Sequence, residues 1–233
     1  MKTKRNRAFT SAELLITITV TGILATLALP ACNKLDQTVE RQMKGVNNCK
    51  QIILSLKQFS KDKGGMYPDS VQNPVTGGLA QSANDAFRFL IQEQIVNDER
   101  IFGCPAGYNP DANIGTAPSY GNALMPGENH WAMTAGQTDA TVGIMPLVFE
   151  NPVSASWPPL WNADVAGQIQ PGRTWPGGKI IIGRNDGSVA VEALSGDKEK
   201  VGPKFLPGGS NTFVEASKGL PERVLPVIYQ GAK

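Results

Sequence analysis

One carboxylate, Glu13, stands just inside an uncharged and largely apolar run, Leu14 to Leu29, behind the basic leader Met1-Lys-Thr-Lys-Arg-Asn-Arg-Ala8. A charge deep in an apolar helix costs roughly 2.5–3.5 kcal/mol, so a chain that retains one there needs a partner for it. The nearest partner is local. Thr10-x-x-Glu13 has the spacing of a capping box, in which hydroxyl and carboxylate satisfy free N–H groups at a helix start, and the helix dipole favours an anion at that end. The other is a positive group brought by a second chain, which a low dielectric would attract strongly. The capping box accounts for the spacing but not for the apolar run behind it.

Three cysteines offer the next chemistry. Cys32 and Cys49 are 17 residues apart, about 25 Å on a continuous helix at a rise of about 1.5 Å per residue. A disulfide needs Cα atoms within about 7 Å. Cys49 falls on an apolar stripe and Cys104 opens a loop, so Cys49–Cys104 is the bridge expected in an oxidising compartment, with two buried free thiols as the alternative. The single histidine, His130, lies in a stretch rich in Gly, Asn and Trp and is expected at the surface. No phosphate-binding Gly loop, His-Glu-x-x-His, Cys-x-x-Cys or Gly-x-Ser-x-Gly occurs; no catalytic residue is assigned and no enzyme is expected. Asp111, Asp139, Asp164, Asp186 and Asp197 stand singly, each suited to a turn. No metal site or cofactor is therefore expected, with calcium kept as a minor alternative. Trp131, Trp157, Trp161 and Trp175 admit two readings, a binding surface for sugar or secreted cargo and the small core of a loop-rich region.

These groups must be carried by a few elements. Phe9 to Ala31 is 23 residues, about 34 Å as a helix against a hydrocarbon core of about 30 Å. This predicts a transmembrane segment with Lys2, Lys4, Arg5 and Arg7 on the cytoplasmic side and the rest of the chain beyond the membrane. Leu29-Pro30-Ala31-Cys32 also has the form of a lipoprotein cleavage box, which would make Cys32 a lipid anchor. Leu35, Val39, Met43, Val46, Cys49, Ile53 and Leu56 recur at helical spacing until Lys63-Gly64-Gly65 breaks the pattern. A second helix is predicted over 84–96 and a strand over 145–150. A hairpin is predicted over 179–192 about a two-residue Asp186-Gly187 turn, and a last strand over 224–229. Gly and Pro supply 42 of 233 residues, so long loops connect them. Without the leader's basic residues, 18 positive side chains face 20 negative ones, which gives no footprint for nucleic acid.

The basic leader, Phe9-Thr10-x-x-Glu13 and the apolar helix with Gly22 and Pro30 together resemble the type IV prepilin signal shared by pilins and type II secretion pseudopilins. Phe102-Gly-Cys104-Pro105, Pro118-Ser-Tyr-Gly-Asn122, Asn48-Cys49-Lys50-Gln51 and the Asn-Asp-Gly hairpin tip resemble pilin-like proteins of environmental bacteria. The resemblance implies prepilin peptidase cleavage between Ala8 and Phe9 and N-methylation of Phe9. Ala8 stands where the family usually has Gly. Glu13 would be the carboxylate that meets the amino terminus of a neighbouring subunit during assembly. The implied fold is α+β, a long N-terminal helix whose first half spans the membrane, packed on a small, loop-rich antiparallel sheet. Its parts are a cleaved leader (1–8), a transmembrane and filament-core helix (9–31), the periplasmic half of that helix (32–60) and a globular domain (61–233). The expected location is the bacterial inner membrane, single-pass, with a periplasmic domain. The expected function is a structural subunit of a pseudopilus or pilus-like filament. Its partners would be prepilin peptidase, like and unlike pilin subunits, an assembly platform and its ATPase, and the membrane. Alternatives are an anchored binding module using the Trp-rich loops and a DNA-uptake pseudopilin.

Overall fold

The computed structural model describes the backbone of residues 11–194 and 211–229, with side chains from Gln37 onward. Helix α1 runs Ser11–Asp62. Cys49, Ile52, Ile53, Leu56 and Phe59 make one fully buried stripe along it, while Glu40, Arg41, Lys44, Lys50 and Lys61 take exposed positions. Gly64 and Gly65, both at positive φ, end it, and the Gly65 amide donates to the Ser60 carbonyl at 2.8 Å. The chain divides after Glu40: Met1–Glu40 is one unit, described from Ser11 with side chains from Gln37, and Arg41–Lys233 is the other.

Two expectations are corrected here. Among the described residues no helix is long and apolar enough to cross a membrane. A membrane-spanning first half of the fold and a single-pass inner-membrane location with a periplasmic domain are therefore both set aside. From Gln37 to Asp62, α1 is apolar on one side and charged on the other, a pattern that suits packing on a domain and not lipid all round. The side chains of the 9–31 segment and the 1–8 leader lie outside the described residues.

Within the second unit, Ser82 and Asp85 form a reciprocal capping box that starts α2 (Ala83–Gln92). Five strands make one antiparallel sheet: β1 (Trp131–Thr134), β2 (Pro146–Glu150), β3 (Lys179–Arg184), β4 (Val189–Ala193) and β5 (Val224–Leu225), in the order β4-β3-β2-β1-β5. A short helix α3 (Thr212–Ala216) follows β4 in the chain. Alternation sends Ile181, Trp131 and Met133 into a core with α1 and α2, and Ile180, Ile182 and Ala132 into a second core with Phe149, Trp161 and Phe213. The sheet is thus buried on both faces, which explains why β1 and β2 are buried along their whole length. The β3–β4 turn is wider than two residues. Arg184 N–H donates to Ser188 O at 2.8 Å, leaving Asn185, Asp186 and Gly187 as the loop, and of these only Gly187 has positive φ.

Candidate functional site

β2 ends on a carboxylate with no solvent. Glu150 pairs in register with Trp131 and is fully buried. A buried charge is tolerated only when it is paired and hydrogen-bonded, and Glu150 is both. Its Oε1 accepts from Arg173 Nη2 at 2.8 Å, His130 Nε2 at 3.0 Å and Trp175 Nε1 at 3.1 Å, and its Oε2 accepts from the Ile181 amide at 2.9 Å. Arg173 lies over the Trp175 ring, 4.6 Å from its centre. His130 Nδ1 accepts from the Tyr108 amide at 3.4 Å, which puts the imidazole proton on Nε2, facing Glu150. Burial depresses the His130 pKa, with Glu150 opposing and Arg173 assisting that shift.

Cys104 completes the cluster, its Sγ 3.6 Å from Arg173 Nη2 and 4.0 Å from Glu150 Oε1. Cys104, His130 and Glu150 each turn a ligand-type atom to within 4.8 Å of the others, a donor set that suits zinc on paper. The residues do not fit an ion. Both Glu150 oxygens already accept N–H groups, Nε2 carries a proton, burial pushes the Cys104 thiol up to about 12, and a guanidinium occupies the same corner. The cluster is a sealed structural tie that joins the start of β1, the end of β2, the approach to β3 and the loop after the second helix.

A second group of carboxylates sits nearer the surface. Glu99 opens a 3-10 turn (Glu99–Phe102), Asp111 lies on the exposed loop beyond Cys104, and Glu128 on the turn before β1. A carboxylate oxygen from each lies within 4.8 Å of the other two. Glu99 Oε2 accepts from the Leu124 amide at 3.0 Å and Glu128 Oε2 from the Met125 amide at 2.6 Å, so two adjacent amides hold two acids face to face. Asp111 Oδ1 accepts from Asn113 N–H at 2.7 Å. Glu99 is fully buried, yet its Oε1 has no hydrogen-bond partner; the Ala112 amide lies near enough to favour its charge but does not complete a bond to that oxygen. Burial raises the pKa of both Glu99 and Glu128, and the neighbouring acids raise them further.

The sequence-derived sites fall as follows. Ala8 and Phe9 lie outside the described residues, and so does the side chain of Glu13. Cys49 and Cys104 share one core but are unbridged and buried, which corrects the expected disulfide in favour of two free thiols. Cys104 instead packs 3.5 Å from where a Cβ on Gly45 would lie, and Cys49 Sγ points to the Val148 carbonyl at 3.7 Å. Trp131, Trp161 and Trp175 are core residues, and Trp157 is half-buried against the second core. His130, expected at the surface, is fully buried. Sequence reading missed Glu150, Glu99 and Glu128; the available signal was a lone acid closing the apolar run Pro146-Leu-Val-Phe149. No protein-family model matches the chain, and neither a curated protein nor a solved structure does.

Proposed function

We propose that this chain is a structural subunit of a filament of the type IV pilin class, a pseudopilus or a pilus-like fibre. The observation that carries the reading is the order Ala8-Phe9-Thr10-x-x-Glu13 behind a basic leader and ahead of an apolar run. Prepilin peptidase would cleave between Ala8 and Phe9 and methylate Phe9. Glu13 would then meet the amino terminus of a neighbouring subunit, and an assembly platform with its ATPase would add subunits one at a time. The buried stripe of α1 from Cys49 to Phe59 supports this role, since it docks the helix on the core of its own domain. The role is structural and not catalytic. The titratable groups around Glu150 are saturated by their own donors and closed to solvent.

The test is Glu13→Leu expressed with the assembly machinery. Cleavage after Ala8 should persist, the domain should fold, and filaments should be lost. Normal filaments from that variant would leave the Thr10–Glu13 capping box as the better account of Glu13.

A further inference from the structure

We propose that Asn151 and Thr174 share an internal water-binding site on the face of the sheet opposite the Glu150 cluster. Asn151 follows Glu150 directly and is fully buried, yet among the described residues neither its Nδ2 nor its Oδ1 has a hydrogen-bond partner. Thr174 is fully buried too, and its Oγ1 is likewise without one. The two residues lie on neighbouring segments. Asn151 donates its backbone amide to the His130 carbonyl at 3.1 Å, and its carbonyl accepts from the Gly172 amide at 3.1 Å. Its backbone is therefore paired on both sides, and the stretch from Gly172 to Thr174 starts beside it. Alternation along extended chain then sets the faces. Phe149 belongs to the second core, Glu150 points the other way, and Asn151 returns to the side of Phe149. Arg173 and Trp175 both reach Glu150 Oε1, which turns the intervening Thr174 to the side of Asn151.

The unpaired atoms select the ligand. Buried polar side chains in folded proteins are almost always paired, with protein or with ordered water. Asn151 and Thr174 do not bond each other, and a gap too wide for a direct hydrogen bond is one that a bridging water fills. The Asn151 amide offers a donor and an acceptor, and the Thr174 hydroxyl serves as either. A cation would answer only the acceptors and an anion only the donors, whereas water answers both. The neighbouring charges call for no ion, because Arg173 and Glu150 already answer each other at 2.8 Å. A water beside the amide accepts from Nδ2, donates to Oδ1 and keeps a proton for Thr174 Oγ1. That makes three hydrogen bonds, the number of about three usual for a buried water. The site joins the end of β2 to the approach to β3, the same two segments that Glu150 and Arg173 join on the other face. This inference is independent of the filament reading.

The experiment uses the purified full-length chain, isotope-labelled, with water itself as the probe. Nuclear Overhauser spectra recorded in the laboratory and rotating frames should show contacts from water to the Asn151 side-chain amide hydrogens and to the Thr174 methyl group. The two spectra should carry opposite signs, the mark of a long-lived water and not of hydrogen exchange. Oxygen-17 relaxation dispersion then counts long-lived waters, and the double variant Asn151→Leu with Thr174→Val should lose about one of them. Wild-type contacts that are absent, or that carry the sign of exchange alone, would overturn the site even where the double variant does not fold. A folded double variant with the dispersion amplitude of the wild type would overturn it as well. Contacts to Asn151 without any to Thr174 would overturn the sharing of one water between them.

Discussion

Replacing Glu150 by Gln should destabilise the protein severely. The substitution keeps size and shape but removes the charge that answers Arg173 and puts an NH2 group among donors. In the structure, one oxygen receives three side-chain N–H groups at 2.8, 3.0 and 3.1 Å and the other receives the Ile181 amide at 2.9 Å. Hydrogen bonds to a charged group contribute about 1.5–3 kcal/mol each, and their simple addition overshoots because they share one acceptor. Removing one partner of a buried ion pair costs about 3–5 kcal/mol, which we take as the expected loss. That is a large share of a typical stability of about 5–15 kcal/mol. Urea unfolding followed by tryptophan fluorescence reads it directly, since Trp131 and Trp175 flank the site. The double variant Glu150→Leu with Arg173→Met removes both charges together and should cost less than Glu150→Gln alone. A Glu150→Gln variant within about 1 kcal/mol of wild type would refute the idea that this carboxylate is the hub of the domain.

Two further outcomes follow from other buried groups. Asp69 is almost fully buried and its pKa is raised, chiefly by burial, against the opposing Gly136 amide, the Ser70 hydroxyl and Arg223. Between its unfolded value of 3.8 and the raised native one, the native state binds more protons, so this group's contribution falls as pH rises and then stays at its lower level. Asp69→Asn should therefore be more stable than wild type at neutral pH, with the advantage shrinking as pH drops; urea midpoints across pH 3.5 to 7, as about the practical range, would show a constant difference if this is wrong. Burial also raises the Cys49 and Cys104 thiol pKa values, Cys104 to about 12, so both should resist alkylation in the native protein and react at once in denaturant without prior reduction. Peptide mapping that recovers them only after reduction would restore the disulfide.

What the sequence revealed depended on how local the cause was. The β3–β4 hairpin could be placed because Asp186-Gly187 interrupts two β-branched runs, and α2 because Ser82 or Asn84 could cap a run carrying Phe87, Phe89, Leu90 and Ile91. The shape of the hairpin loop could not, since the same dipeptide fits two loop lengths that differ only in where pairing resumes. β1 was missed because Trp131-Ala-Met-Thr134 is buried on both faces and shows no alternation. His130 looked like a surface residue because its partner lies 20 positions further on, at the end of another strand. Glu99, Asp111 and Glu128 carry no shared spacing at all; they meet only because the 3-10 turn and the approach to β1 fold back on the same loop. The expected disulfide failed for a related reason. Sequence distance allowed the bridge, but the core set the two sulfurs to different neighbours, Val148 for one and Arg173 for the other.

Helix and sheet in this domain are keyed to each other by missing side chains. A methyl on Gly45 of α1 would come within 2.7 Å of Ile181 Cδ1, and one on Gly183 of β3 would strike Ile53 and Cys49. Each surface thus offers a notch, and an isoleucine from the opposite surface fills it. Two such notches facing in opposite directions act as a mechanical detent. For α1 to slide along its axis, Ile181 must climb out of one notch while Ile53 climbs out of the other, and both must ride over bulkier neighbours at the same moment. A pull along the helix would therefore load the strands as shear across the whole sheet, and this part of the helix and the domain would travel as one piece.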